Sequence, residues 1–213
     1  MPLDFLDDWS NTVPVNTTSA TTDTRDRILE AGSEAIVCKS YNGCGLSEIL
    51  EAAGVPKGSF YHYFKSKEGF GVALIEKSAD EHAVRIGSFV SNRSLAPTER
   101  IREFFAMCRD YYAEHGPTRE CLIAKLALET AQLSEPMRAA IKCAYDQWSS
   151  LIAKAIREAQ ADGQVSAELD ADVLADQLIN AWEGATVRMQ IDRDVAPLDQ
   201  FISITLDRVL AAS

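Results

Sequence analysis

AAGVPKGSFYHYFKSKEGFG, residues 52–71, crowds Phe60, Tyr61, His62, Tyr63 and Phe64 between Lys57 on one side and Lys65 and Lys67 on the other. Such a run is either the core side of a helix or a surface that meets something anionic, and helical spacing divides it between the two. Gly54 ends a short helix carrying Ile49, Leu50 and Ala53 and supplies the positive φ of a turn. Pro56, whose φ is already helical, suits the start of the next. On that helix Phe60, Tyr63 and Phe64 fall at i, i+3 and i+4, share one face and are predicted to pack on the two helices before them. Lys57, Ser59, Tyr61 and His62 are left pointing outward. Two short helices joined at a glycine, the second tipped with Lys57, Gly58 and Ser59, have the layout of a helix-turn-helix whose second helix enters a major groove.

Outward from this stretch the pattern stays helical. Ile28, Ala31, Ala35 and Ile36 predict a first helix behind a capping Asp23 or Thr24, ending near Lys39 to Gly43. Ser66 is the N-cap expected for a fourth helix to about Ser88, and five more are predicted near 97–114, 120–132, 135–162, 170–191 and 197–211. Pro97, Gly116 and Pro117, Ser134 with Pro136, Gly163, Asp170 and Pro197 mark their boundaries. No strand-like alternation persists over a useful length, so the fold class is all-α with about nine helices. Residues 1–23 hold four Asp and no Lys or Arg, turn Thr/Ser-rich after Trp9, and read as a flexible acidic tail.

The 213 residues carry a formal charge of −11 and are 46% apolar, an ordinary globular composition. That charge argues against a nucleic-acid partner until its distribution is considered. Between Thr24 and Lys67 the cations Arg25, Arg27, Lys39, Lys57, Lys65 and Lys67 outnumber Asp26, Glu30, Glu34, Glu48 and Glu51 by one, so the acidity lies elsewhere. A near-neutral head can then meet DNA while an acidic body keeps the chain soluble. No apolar run approaches the roughly 20 residues of a membrane span, and the start lacks the basic and apolar regions of a secretory signal. A cytoplasmic protein is expected, without a membrane partner. Cys38, Cys44, Cys108, Cys121 and Cys143 are odd in number and hold no CxxC pair, so neither a disulfide framework nor a metal site is suggested. No cofactor is expected.

TRDRILEAGSEAI (24–36) followed by GLSEILEAAGVPKGSFYHYFKSKEGFGVALIE (45–76) resembles the N-terminal domain of the TetR/AcrR family of bacterial transcription factors. The resemblance implies an all-α homodimer with a three-helix DNA-binding domain at 24–67 and an effector-binding and dimerisation domain at 68–213. It implies DNA contacts from Pro56, Lys57, Gly58, Ser59, Tyr61 and His62 and a phosphate contact from Lys67. The family often opens its second helix with threonine where this chain has Gly45, and Ser47 is the substitute expected there. Leu174, Leu178, Ala181 and Ala185 of helix eight, with Phe201, Ile204 and Leu210 of helix nine, are expected to form a four-helix dimer interface. A two-fold dimer in turn implies a palindromic double-stranded operator.

ECLIAKLALETAQLSEPMRAAI (120–141) resembles the branch of the family represented by the electrophile-responsive NemR and acrylate-responsive AcuR types, in which a cysteine heads the sixth helix. Here that residue is Cys121. Placed in the first turn after the break at Gly116 and Pro117, near Arg119, Lys125 and His115, its thiol is expected to have a lowered pKa. Two readings stand: a thiol sensing an electrophile or oxidant, or a small inert residue beside a non-covalent ligand. Cys108 and Tyr111 belong to an aromatic stripe that can line an apolar pocket, and Trp148 and Trp182 are expected to pack first and line that pocket second. Cys38 and Cys44 read as core, Cys143 as partly exposed. An enzyme built on Cys121, Lys125 and His115 lacks an orienting acid readable from sequence and leaves the helix-turn-helix unexplained. An interaction protein regulated by its acidic tail is the remaining alternative.

Overall fold

A computed structural model describes residues 24–116 and 121–210. The acidic segment 1–23 and Arg119 lie outside the described residues. The helices are α1 (Thr24–Cys38), α2 (Leu46–Ala53), α3 (Lys57–Tyr63), α4 (Lys67–Val90), α5 (Pro97–His115), α6 (Leu122–Thr130), α7 (Glu135–Ala161), α8 (Ala171–Asp192) and α9 (Ala196–Gln200). From α9 the chain continues through a π-helical stretch, Phe201–Leu206, into α10 (Asp207–Val209). No strand occurs among the described residues, and the all-α expectation holds.

The start of the chain folds around a few aromatic rings. Ile28, Leu29 and Ile36 of α1, Ile49 and Leu50 of α2, and Phe60 of α3 are buried together with Phe64 and Phe70. The rings of Phe60 and Phe64 lie 5.6 and 5.2 Å from that of Phe70, which enters from the first turn of α4. Gly32 makes room for it: a Cβ there would stand 2.2 Å from Phe70 Cζ. Gly54 ends α2 at φ 64° and ψ 37°, the left-handed conformation that glycine adopts without a steric penalty. Arg27 of α1 donates to the carbonyls of Ala53 and Gly54 at 2.5 and 3.2 Å and fixes the turn against the first helix.

Tyr63 departs from the expected apolar face, being 36% exposed while Phe60 and Phe64 are buried. The reason is local. Phe64 has already left the helix at φ −130° and ψ 117°, so its ring reaches the core from extended backbone and the i, i+3, i+4 face is broken.

Ser66 caps α4 by accepting from the Gly69 amide at 3.0 Å. Helix α4 then runs out of this N-terminal group and packs along α7, where Trp148 Nε1 donates to the Ala79 carbonyl at 3.1 Å. Arg100 is buried at the far end, held by Glu158 at 2.7 Å and by the carbonyls of Val90 and Leu95. A guanidinium so completely paired fixes the junction of α4, α5 and α7 without an unpaired buried charge.

Candidate functional site

Two surfaces are candidates. The first is the outer side of α2 and α3. Ser47, Pro56, Lys57, Gly58, Tyr61 and His62 are exposed, Ser59 is half-buried, and Lys65 is exposed beyond them. Tyr61, at 55% exposure, keeps one edge on Phe60 at 5.4 Å between ring centroids. A Cβ on Gly45 or Gly58 would meet nothing within 4 Å, and neither has a positive φ, so no contact inside the chain requires glycine at those positions.

Lys67 is placed differently from the phosphate contact that the resemblance implied. Its ammonium donates to the carbonyls of Tyr41 and Cys44, both at 2.6 Å, and sits 4.8 Å from the Tyr41 ring centroid. Those carbonyls in the α1–α2 connection need a donor, and the Tyr41 hydroxyl returns a hydrogen bond to Lys67 O at 2.8 Å. The side chain therefore ties the connection to the start of α4, turned inward from the exposed face of α3.

The second candidate is a cavity of about 430 Å³ between the N-terminal helices and the rest of the chain. Leu29, Ser33 and Val37 of α1 form part of its wall, and Cys108, Tyr111, Cys121, Trp148 and Trp182 line it from α5 to α8. Five residues of the expected effector site thus converge on one cavity, whose lining does not include the sixth, Lys125. Trp148 is buried, and Trp182 packs on Phe105 and Phe201 at 5.1 and 5.2 Å, so both tryptophans combine packing with lining.

Matches to known proteins cover both candidates. The description "Bacterial regulatory proteins, tetR family" matches residues 28–74, and "Tetracyclin repressor-like, C-terminal domain" matches residues 97–205. Transcriptional regulator AcuR of Cereibacter sphaeroides is 41% identical over 174 residues, 82% of this chain and 80% of that protein. The chain belongs to the tetR family of bacterial regulatory proteins. HTH-type transcriptional repressor DhaR of a Mycobacterium species is 34% identical over 194 residues, 91% of this chain and 96% of the relative. The crystal structure of reduced Escherichia coli NemR matches with a TM-score of 0.84 and 30% identity, over 90% of this chain and 99% of that one. The chain is accordingly a transcriptional regulator and not an enzyme.

Within this tetR-family frame the surroundings of Cys121 differ from the expectation. Cys121 is the N-cap of α6, one position before its first turn, with φ −67° and ψ 121°. Backbone amides of Ile123 and Ala124 do favour the thiolate, but burial and the Glu183 carboxyl outweigh them and push the thiol up to about 12. The predicted lowered pKa is thus reversed. Lys125 gives no help, because its ammonium donates to the Val37 carbonyl at the end of α1, 2.9 Å away. Cys108 is likewise raised to about 12 by burial, and His82, 4.4 Å from the Trp148 ring, is lowered to about 3 and stays neutral. Cys44 is core, its thiol donating to Ala35 O, but Cys38 is exposed on the last turn of α1 and Cys143 is exposed too.

Glu183 and Tyr145 were not foreseen. Glu183 stands on α8, and burial raises its carboxyl to about 7 although the Tyr145 hydroxyl bonds to it. Its signal was available: Glu183 is the one acid in the apolar stretch from Leu178 to Val187. Helix α8 also presents a different outward edge from the one expected. Leu174, Leu178, Phe201 and Leu210 are buried within the chain, and Ala181 and Ala185 pack against its core. Val173, Val187 and Ile191 are the large apolar side chains that α8 exposes, with Ile204 exposed nearby in sequence on the π-helical stretch. Positions 173, 180, 184, 187 and 191 follow helical spacing, which the inward set also obeys one residue out of phase. Among the described residues no helix is long and apolar enough to cross a membrane.

Proposed function

We propose that this protein is a cytoplasmic tetR-family repressor that binds a palindromic operator as a dimer and is released by a small organic molecule or electrophile entering the cavity. One observation carries the reading. The cavity is walled at once by α1 of the DNA-binding unit, residues 24–67, and by the helices of the effector-binding unit, residues 68–213. A molecule held there touches both units, so its binding energy can differ between two arrangements of them. The named relatives support the class of function: DhaR and NemR are repressors and AcuR is a transcriptional regulator.

On the DNA side the reading assigns base and phosphate contacts to Lys57, Ser59, Tyr61 and His62, with Ser47 on α2. Gly58 provides close approach of backbone to DNA, since nothing inside the chain demands glycine there. Selection from a random duplex library is expected to return a two-fold symmetric site, with affinity falling steeply as salt rises. Gly58→Ala should keep or raise thermal stability, because alanine favours a helix by about 0.5–1 kcal/mol over glycine, while operator binding is lost. Undiminished binding by Gly58→Ala together with Lys57→Ala and Tyr61→Ala would refute the assignment.

Dimerisation is assigned to α8 and the final helix, through Val173, Val187, Ile191 and Ile204. Ile191→Glu places a carboxylate on that edge without touching the buried core. The mutant is expected to move the monomer–dimer midpoint up in concentration by at least about tenfold, some 1.4 kcal/mol. Light scattering that shows an unchanged dimer would place the interface elsewhere.

A covalent version of the same reading is favoured by the position of Cys121 in the cavity wall. Replacement by serine separates it from a non-covalent ligand with inert cysteines. If Cys121→Ser still leaves DNA normally on treatment with an alkylating agent or hypochlorite, the trigger is not at Cys121.

A further inference from the structure

Helical spacing decides which side chains α8 turns toward the cavity. Ile179, Trp182, Glu183 and Thr186 fall at i, i+3, i+4 and i+7 and all line it, so the register of the helix puts the Glu183 carboxylate on the inward face. Against this face α5 sets an aromatic wall. The Phe105 ring lies 5.1 Å from that of Trp182, and Tyr112 lines the cavity two turns further along.

Glu183 has no cation of its own. It enters no ion pair among the described residues, and the one group that favours its charge is the Tyr145 hydroxyl. Lys77 of α4, which also lines the cavity, is taken by Glu81 four residues on. On the α1 side Glu30 and Glu34 add two exposed carboxylates. A carboxylate set among rings without a counter-charge is a costly arrangement that an incoming cation relieves, and the ring faces attract the same cation. From α4, His82 lines the cavity with its ring 4.4 Å from that of Trp148. Burial keeps this imidazole neutral, and its nitrogens have no hydrogen-bond partner among the described residues. A neutral imidazole accepts a hydrogen bond from an ammonium group.

We infer that the effector held in this cavity is an organic ammonium compound, a protonated amine whose charge meets Glu183 and whose apolar body lies against Trp148, Trp182 and Phe105. This names the ligand class of the site proposed above and rests on that reading. The same lining disfavours carboxylic acids, because their anions would stand beside Glu183 with no unpaired cation to offset the repulsion. The cavity should therefore rank ligands of one size in the order amine, alcohol, acid.

The test titrates the full chain by calorimetry with 2-phenylethylammonium, 2-phenylethanol and phenylacetate, at pH 8, above the value of about 7 to which burial raises Glu183. The ammonium should bind at least about tenfold more tightly than the alcohol, and phenylacetate more weakly than either. Glu183→Gln should cost the ammonium at least about tenfold and leave the alcohol unchanged. Lys77→Met deprives Glu81 of its partner and should tighten the ammonium, a gain that a misfolded chain cannot give. An unchanged or weaker ammonium affinity in Lys77→Met counts against the class. A cation gathered only by the overall acidity of the chain keeps its affinity in Glu183→Gln, and that result overturns the inference. So does an ammonium that binds no better than the alcohol. Fluorescence anisotropy of labelled operator separates this inference from the reading it rests on. If the ammonium fills the cavity and the DNA stays bound, the regulatory reading fails while the ligand class stands. If the alcohol or the acid releases the DNA and the ammonium does not, the class fails while the regulatory reading stands.

Discussion

Phe70→Ala is expected to cost about 3–5 kcal/mol of stability and to abolish operator binding even at low salt. Phe70 is fully buried and its ring is the meeting point of three elements: Gly32 of α1 beneath it, and Phe60 and Phe64 from α3 and its exit on either side. Truncation removes the ring and leaves a cavity beside helices that are only 15 and 7 residues long. Helices of that length are marginal in isolation and hold their shape through tertiary packing. The exposed α3 contacts are therefore lost with the core that orients them. Thermal unfolding and operator titration measure the two effects separately. A loss below about 1 kcal/mol would mean that the surrounding side chains collapse into the space, and the ring would then not be what orients α3.

The same rings explain what could be read from the sequence. Gly54, Pro56 and Ser66 act locally, through φ, a missing amide hydrogen and a capping hydroxyl, and local chemistry is written in the chain order. The helix boundaries around them accordingly fell within a residue or two of expectation. Phe64 was assigned to the correct face for an incomplete reason, because periodicity assumes the helix continues and here it ends one residue earlier. Tyr63 departs for a local reason, the early end of α3, and Cys38 is exposed on the last turn of α1; the other departures involve partners far apart in sequence. Lys67 bonds carbonyls 23 and 26 residues away. Cys121 is governed by Glu183 and by burial, whereas its sequence neighbours suggested only cations. On α8, two apolar sets obey helical spacing one residue apart, and only packing against α7 and the final helix decides which of them faces inward.

The cavity can influence DNA only if its occupancy is transmitted to the helices that carry the recognition surface, and α6 is the element placed to transmit it. Cys121 is its N-cap, and the helix makes polar contacts with the N-terminal helices and their connections: Lys125 donates to the Val37 carbonyl at 2.9 Å, and Glu129 accepts from the Asn42 amide at 3.2 Å. Just beyond its end, Ser134 donates to Glu68 at the start of α4, at 2.6 Å. A substituent added at Cys121 enlarges the group at the N-terminus of α6, in contact with the cavity wall, and displacement of the helix is passed to α1 through Lys125. Lys125→Met keeps the apolar stem and deletes the donor. Unmodified Lys125→Met is expected to bind operator within about threefold of wild type, since the contact is half-buried and remote from α3. After full alkylation of Cys121, in a background with the exposed Cys38 and Cys143 replaced by serine, wild-type affinity should drop while the mutant retains most of its own. The difference should amount to roughly 5–150-fold, the usual range of a coupling free energy of 1–3 kcal/mol between two sites. Equal release of the two alkylated proteins would show that the signal reaches α1 by direct contact with the occupied cavity, through Leu29, Ser33 and Val37, and not through the Lys125 bond.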